Sequence, residues 1–215
     1  MTDFEQLKEI CRVACHERNA CKPGFEALMQ ADSIPAILAV WRKNWDDIFS
    51  SKFADVMVKN VVEVYATAAD EFRRALFFVN EPSERGIVII SSPTEPITVG
   101  GTAKAYIFSP AEVTATENAQ VYCRTAGSKI ILRGHSYGHI DHADTRVEVR
   151  EFASAGGTME CHTYNAAEVI IQGGTLIDHG HRRITASGTT AVYSDITRNI
   201  ELSGDASLHP TNEYK

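Results

Sequence analysis

The sequence predicts an α+β chain in which an N-terminal helical bundle caps a C-terminal parallel β-solenoid, and three observations carry that expectation. Up to Glu84 the apolar residues recur at helical spacing. From Gly86 the texture changes to alternation with period two, and between Ile97 and Leu208 no helical period returns. Within that second stretch, short triplets of small apolar residues recur at intervals of eight. The expected organisation is a helical cap over residues 1–84, a solenoid over 86–208 and a tail over 209–215.

In the helical part, Thr2-Asp3-Phe4-Glu5 has the form of a capping box, with the Thr hydroxyl and the Glu carboxylate each taking the other's backbone amide. The helix it starts is expected to reach about Asn19, with Phe4, Leu7, Cys11, Ala14 and Cys15 on one face. Lys22-Pro23-Gly24 breaks it, and Pro23 suits the first turn of a second helix carrying Phe25, Leu28 and Met29. Ser33 caps a third, with Ile34, Ile37, Leu38 and Trp41 spaced as i, i+3, i+4 and i+7. Asp46 to Ser51 reads as a short link. A fourth helix has Ala54, Val58, Val61, Val62 and Tyr65 on one face, and Thr67 caps a fifth piece with Phe72 and Leu76.

Gly86 to Ser91 reads as the first strand. Ala111-x-Val113-x-Ala115 is followed eight residues on by Ala119-x-Val121-x-Cys123. Ser128-x-Ile130-x-Leu132, Ser136-x-Gly138-x-Ile140 and Thr145-x-Val147-x-Val149 come next. Ala167-x-Val169-x-Ile171, Thr175-x-Ile177, Ala191-x-Tyr193, Ile200-x-Leu202 and Ala206-x-Leu208 continue the series less regularly. Alternation places these residues inside and Glu112, Thr114, Gln120, Arg146 and Glu148 outside. Small inward residues require a close opposite wall, which favours a narrow solenoid over a sandwich roughly 10 Å thick. Hairpins would need turns such as Asn-Gly or Asp-Gly, and neither dipeptide occurs. Three eight-residue sides per coil give roughly five coils, about 24 Å tall at about 4.8 Å each. An antiparallel sandwich or jelly roll is the competing fold. An open solenoid must protect its edge strands, a task suited to the helical bundle at one end and Pro210 at the other.

The helical start with Cys21-Lys-Pro-Gly-Phe-Glu-Ala-Leu28, followed by degenerate A-x-V-x-A units, resembles small uncharacterised β-solenoid proteins of gut bacteria and their phages. The resemblance spans most of the chain and implies the capped-solenoid fold. It carries over no catalytic residue.

Twenty-one basic against 28 acidic side chains leave −7, the wrong sign for a protein that grips phosphates, so direct nucleic-acid binding is not expected. No apolar run approaches the roughly 18 residues a membrane span needs. An acidic, polar N-terminus and five cysteines, an odd number, point to reduced thiols in the cytoplasm. Cys11, Cys15, His16 and Cys21 invite a zinc reading, but the second ligand pair of a zinc knuckle is missing and helical spacing makes Cys11 and Cys15 core residues.

The densest polar cluster runs from His135 through His139, Asp141 and His142 to Asp144. Three imidazoles and two carboxylates are the donor types of a transition-metal site, and His135 and His139 share a strand face. His179 and His181 form a weaker pair of the same kind. Asp141, Asp144 and Glu148 are candidate carboxylates for sugar cleavage, set against Arg146 and Arg150, which suggest a charge-laced solvent face. Phosphate-loop, dinucleotide, nucleophile-elbow and zincin motifs are all missing. Gly100-Gly101, Gly156-Gly157 and Gly173-Gly174 read as corners or bulges. No catalytic, metal or cofactor residue is assigned.

The expected function is therefore a non-enzymatic binding or structural module. Its rigid solenoid surface engages another protein or a second copy, an acidic inhibitor of a host protein encoded by a phage being one form. The alternative is a small metal-dependent or carbohydrate-acting enzyme using the cluster from His135 to Asp144.

Overall fold

The computed structural model describes residues 1–17, 22–50, 53–165 and 167–214. Two compact units divide between Val79 and Asn80.

The first unit contains α1 (Asp3–Glu17), α2 (Lys22–Gln30), α3 (Ile34–Ser50), α4 (Phe53–Arg74) and a short strand β1 (Phe77–Val79). The capping box forms as expected: Thr2 N donates to Glu5 Oε2 at 2.7 Å and Glu5 N to Thr2 Oγ1 at 3.2 Å. Ser33 Oγ accepts from Ala36 N at 3.4 Å at the head of α3. Leu7, Cys11, Ile37, Leu38, Trp41, Val61, Val64 and Phe72 make the core, and Trp41, Trp45 and Phe77 pack ring against ring at 5.6–6.2 Å. Cys11 and Cys15 are buried, and burial pushes the Cys11 thiol up to about 12, so it behaves as a small apolar side chain. Cys21 and Ser51, and the side chain of Ala54, lie outside the described residues.

The helical reading needs three corrections. No link opens at residue 46, because α3 continues to Ser50 and only kinks at Asn44, whose amide donates to Val40 O at 2.7 Å in competition with the helix. Thr67 does not cap a separate helix. α4 passes through it with non-helical angles at Ala68, and the Thr67 hydroxyl bonds back to Val64 O at 3.2 Å. Helix also stops short of Glu84: Leu76 turns left-handed (φ 57°) and Phe77–Val79 is extended.

The second unit is an all-parallel solenoid of two facing ladders. One ladder stacks β2 (Ile87–Ile90), β4 (Lys104–Ile107), β6 (Gln120–Cys123), the first halves of β8 (Tyr137–Val149), β9 (Ser154–Thr163) and β10 (Glu168–Asp178), then β11 (Arg183–Ala186) and β13 (Ile200–Leu202). The other stacks β3 (Ile97–Val99), β5 (Glu112–Ala115), β7 (Lys129–Leu132), the second halves of β8, β9 and β10, then β12 (Ala191–Tyr193) and β14 (Ser207–His209). A short 3-10 turn (Thr211–Glu213) follows Pro210. The antiparallel sandwich is thereby excluded.

Each coil has two sides, not three. Lys104 pairs with Gln120, Gln120 with Tyr137 and Tyr137 with Ser154, a repeat of 16 or 17 residues, which shortens to 14 and 15 where Ser154 pairs with Glu168 and Glu168 with Arg183. The eight-residue period is thus half a coil: four residues of strand and about four of corner. The unit makes about eight turns instead of five, so its ladders rise roughly 34 Å at about 4.8 Å per rung. With no third side the two sheets face one another directly, which is why Ala105, Val121, Ala155 and Val169 suffice to fill one inward column.

The triplets from Val113 to Val149, and Ala167-x-Val169-x-Ile171, point inward as expected, apart from partly exposed Ala111. Two later ones were read one residue out of step. In β10 a register shift between Ile171 and Gly173 moves Leu176 inside and leaves Thr175 half-buried, while Ile177 is buried as well. Val192 pairs with Leu176, so Thr190, Val192 and Ser194 are the inward set and Ala191 and Tyr193 face outward.

Corners follow their own rule. Gly101, Glu117, Gly134 and Glu151 occupy equivalent corners, all with positive φ. Glu117 folds its carboxylate onto Gly101 N at 3.0 Å, and Glu151 does the same to Gly134 N at 2.8 Å. A Cβ at Gly134 would lie 2.9 Å from Glu117 N, so a glycine sits beside each glutamate.

Candidate functional site

A concave outward surface lies on the first ladder of the solenoid, where β8, β9 and β10 present three residues each. Alternation exposes Tyr137, His139 and Asp141 on β8, Ser154, Gly156 and Thr158 on β9, and Glu168, Ile170 and Gln172 on β10. The middle row is small, so the outer rows stand as walls on either side of a trough of about 450 Å3 floored by Gly156 and Gly157. Tyr137 is 37% exposed and Ile170 is 53% exposed, both large for outward positions. The β8 wall continues an aromatic column: Tyr106 and Tyr122 stack at 4.9 Å and 10°, and the His139 ring lies 6.5 Å from Tyr122.

The polar groups around the trough are placed by the same strands. Asp141 Oδ1 lies 3.2 Å from His139 Nε2. Burial, and then the charge of Asp141, raise the Tyr137 hydroxyl above its ordinary value of 10, so at neutral pH it stays a donor. Glu168 pairs with Arg182.

The cluster from His135 to Asp144 does not assemble into one site. His135 sits at a corner and stacks on exposed Phe152 at 5.5 Å. His139 faces out of the first ladder. His142 and Asp144 (3.9 Å apart) occupy extra residues between the halves of β8, where five steps from Asp141 to Arg146 oppose two from Thr158 to Glu160. Among the described residues no three His, Cys, Asp or Glu side chains converge as a metal site. The expected shared face of His135 and His139 fails because β8 begins only at Tyr137. Changing His135, His139 and His142 together to Gln is expected to move stability by within about 0.5 kcal/mol, read as melting temperature, and to leave metal content unaltered. Zinc or iron bound stoichiometrically by the parent and lost from the triple variant would contradict this.

The candidate carboxylates are separated too. Asp141 belongs to the first ladder, Asp144 to the intervening bulge and Glu148 to the outward side of the second. Burial raises Glu148, but Arg150 at 2.6 Å, with Arg146 and Lys129 beyond, outweighs it and keeps the carboxyl below its ordinary value. That is a charge-laced face.

His179 and His181 do not share a strand face, because β10 ends at Asp178. His179 stacks outside on Tyr164 at 4.8 Å, whereas the His181 side chain is buried between Asp178 Oδ2 at 2.9 Å and Arg198 O at 2.8 Å. Asp178 also accepts from Thr163 Oγ1 (2.7 Å), Ser194 Oγ (2.5 Å) and Gly180 N (3.0 Å). Burial alone would raise its pKa, yet the bonds from Ser194, Thr163 and Gly180 and the charge of His181 outweigh that and hold it below 3.8. A carboxylate with its folded pKa lowered stabilises the fold at every pH above its unfolded value, and that contribution is lost as pH falls through the folded value. Asp178→Asn is expected to cost about 2–4 kcal/mol at neutral pH and to flatten the acid limb of a stability curve below about pH 4. An unchanged acid limb would remove Asp178 from the account.

No protein-family model matches the chain, and no curated protein or solved structure does either. The resemblance to solenoid proteins of gut bacteria and phages therefore finds no support in these comparisons, and the fold alone stands. No helix among the described residues is long and apolar enough to cross a membrane.

Proposed function

We propose that this chain is a non-enzymatic binding module that engages another protein through the outward face of the first ladder, centred on the trough above Gly156. The observation that carries the reading is the outward set of Tyr137, His139 and Asp141 on β8, Ser154, Gly156 and Thr158 on β9, and Glu168, Ile170 and Gln172 on β10, in which exposed aromatic and aliphatic walls flank a middle row of small residues. Binding hot spots favour such composition: a Tyr anchor, a desolvated pocket and a polar rim. The stacked rungs fix those side chains on strands, so little order is lost on binding. A fold of this kind is compatible with a structural or binding role. The enzyme reading has less support: His139 and Asp141 stay together on the first ladder, but His135, His142, Asp144 and Glu148 lie elsewhere.

The test is capture of a partner from the native host by the wild-type chain, by Tyr137→Ala/Ile170→Arg, and by Lys129→Glu on the opposite ladder. Loss of the same partner from the double variant, with retention by Lys129→Glu, supports the reading. Equal capture by all three overturns it.

A further inference from the structure

We infer that the trough above Gly156 takes the side chain of an arginine presented by the partner protein, an inference that rests on the first ladder being the binding face.

The width of the trough comes first. Its walls stand on β8 and β10, two strand spacings apart, or roughly 9.6 Å between side-chain rows. Carbon atoms in contact lie about 3.5–4.0 Å apart, so the gap has room for one layer of atoms between the walls and not for two. The occupant is therefore a flat or slender side chain. The floor is a glycine: a Cβ at Gly156 would meet Tyr137 Oη at 3.5 Å and Ile170 O at 3.6 Å, ordinary contact distances, so the phenol hydroxyl stands beside the floor as a polar lip.

The chemistry of the walls then selects among slender side chains. On the β8 side stand the Tyr137 and His139 rings, and on the β10 side the exposed aliphatic Ile170, surfaces suited to the faces of a planar group. At the far end, Asp141 follows His139 on β8 and Gln172 follows Ile170 on β10, an anion and an amide where the head of a side chain lying over Gly156 would emerge. Glu168 at the near end is paired with Arg182, and Asp141 at the far end lies 3.2 Å from His139 Nε2. A guanidinium is planar, stacks on aromatic faces and forks onto a carboxylate, whereas a lysine ammonium is a strongly hydrated point charge with no face to stack. The net charge of −7 adds long-range attraction for a basic partner.

The inference is tested by an NMR titration of the full chain with N-acetyl-arginine methylamide, its lysine counterpart and a methyl glucoside as probes. Saturable shifts centred on Gly156, Ile170 and Gln172 are expected with the arginine probe, and binding at least about threefold weaker with the lysine probe. Asp141→Asn should weaken the arginine probe about fivefold, and Gly156→Val, which fills the floor, should abolish its shifts. Ile170→Ala removes one wall without adding bulk and should weaken binding even if Gly156→Val disturbs the strand. No saturable shift, equal shifts with lysine, or indifference to all three substitutions would overturn the inference. Shifts from the glucoside in place of arginine would also overturn it, reassigning the trough to a sugar ring. Partner capture that depends on Tyr137 and Ile170 while the arginine probe fails sinks the arginine assignment alone. An arginine probe that binds while capture ignores those residues sinks the protein-binding reading instead.

Discussion

Gly157→Ala is expected to destabilise the solenoid by about 3 kcal/mol or more, enough to leave much of the chain unfolded at 37 °C. Gly157 lies in β9 with φ +117°, where L side chains are strained, and a Cβ there would stand 1.8 Å from Ile140 O on the neighbouring rung. The obstacle is backbone within a ladder, so no side chain can swing aside. Its neighbour is the control. Gly156→Ala meets nothing closer than 3.5 Å and is expected to change stability by within about 0.5 kcal/mol. Urea unfolding of the two variants measures the contrast. Equal effects would mean that Gly157 does not make this close approach to the Ile140 carbonyl.

The second large effect concerns register. Val121 is wholly buried, paired inward between Ala105 and Gly138, while Gln120 faces out between Lys104 and Tyr137. Val121→Asp places a carboxylate between the two sheets with no partner, at a cost of several kcal/mol. Gln120→Asp should stay within about 0.5 kcal/mol. Because a slip of one residue exchanges the faces of a strand, greater damage from Gln120→Asp in a melting experiment would show the inward set to be wrong.

The same alternation explains how much of the fold was legible. Ala119-x-Val121-x-Cys123 and its neighbours exposed the strands and their inward faces, because period two and small size are local properties of sequence. The number of sides per coil is not local. A period of eight fits three sides of a 24-residue coil as readily as two sides of a 16-residue coil, and only the pairing of Lys104 with Gln120 decides it. Register was lost where it depends on backbone: the shift at Gly173 moves Leu176 inside, and a glycine pair announces a bulge without saying which residues it reverses. Asn44 and Thr67 kink their helices by side-chain bonds to carbonyls one turn back, a choice that the residue types alone leave open.

The candidate site was less legible than the fold. Chemistry-rich residues drew attention to His135, His139 and His142, yet only His139 lines the trough. Tyr137 and Ile170 occupy outward positions between inward triplets, where solvent-facing residues are expected, and Gly156 reads with Gly157 as a corner or bulge, whereas both lie within β9. Ile170 carried the available signal: a large aliphatic residue at an outward position, between Val169 and Ile171, has no core to fill. Gly156 gave none, since its meaning depends on which side chains stand on the rungs to either side.

The central claim is that a protein partner covers the first ladder. Hydroxyl-radical footprinting of the captured complex tests it directly, with Tyr137 and Ile170 as reporters and exposed Ile196 and Phe152 as references. Oxidation of Tyr137 and Ile170 is expected to fall several-fold on binding while Ile196 and Phe152 react as in the free chain. Undiminished oxidation of Tyr137 and Ile170, with protection elsewhere, would contradict it.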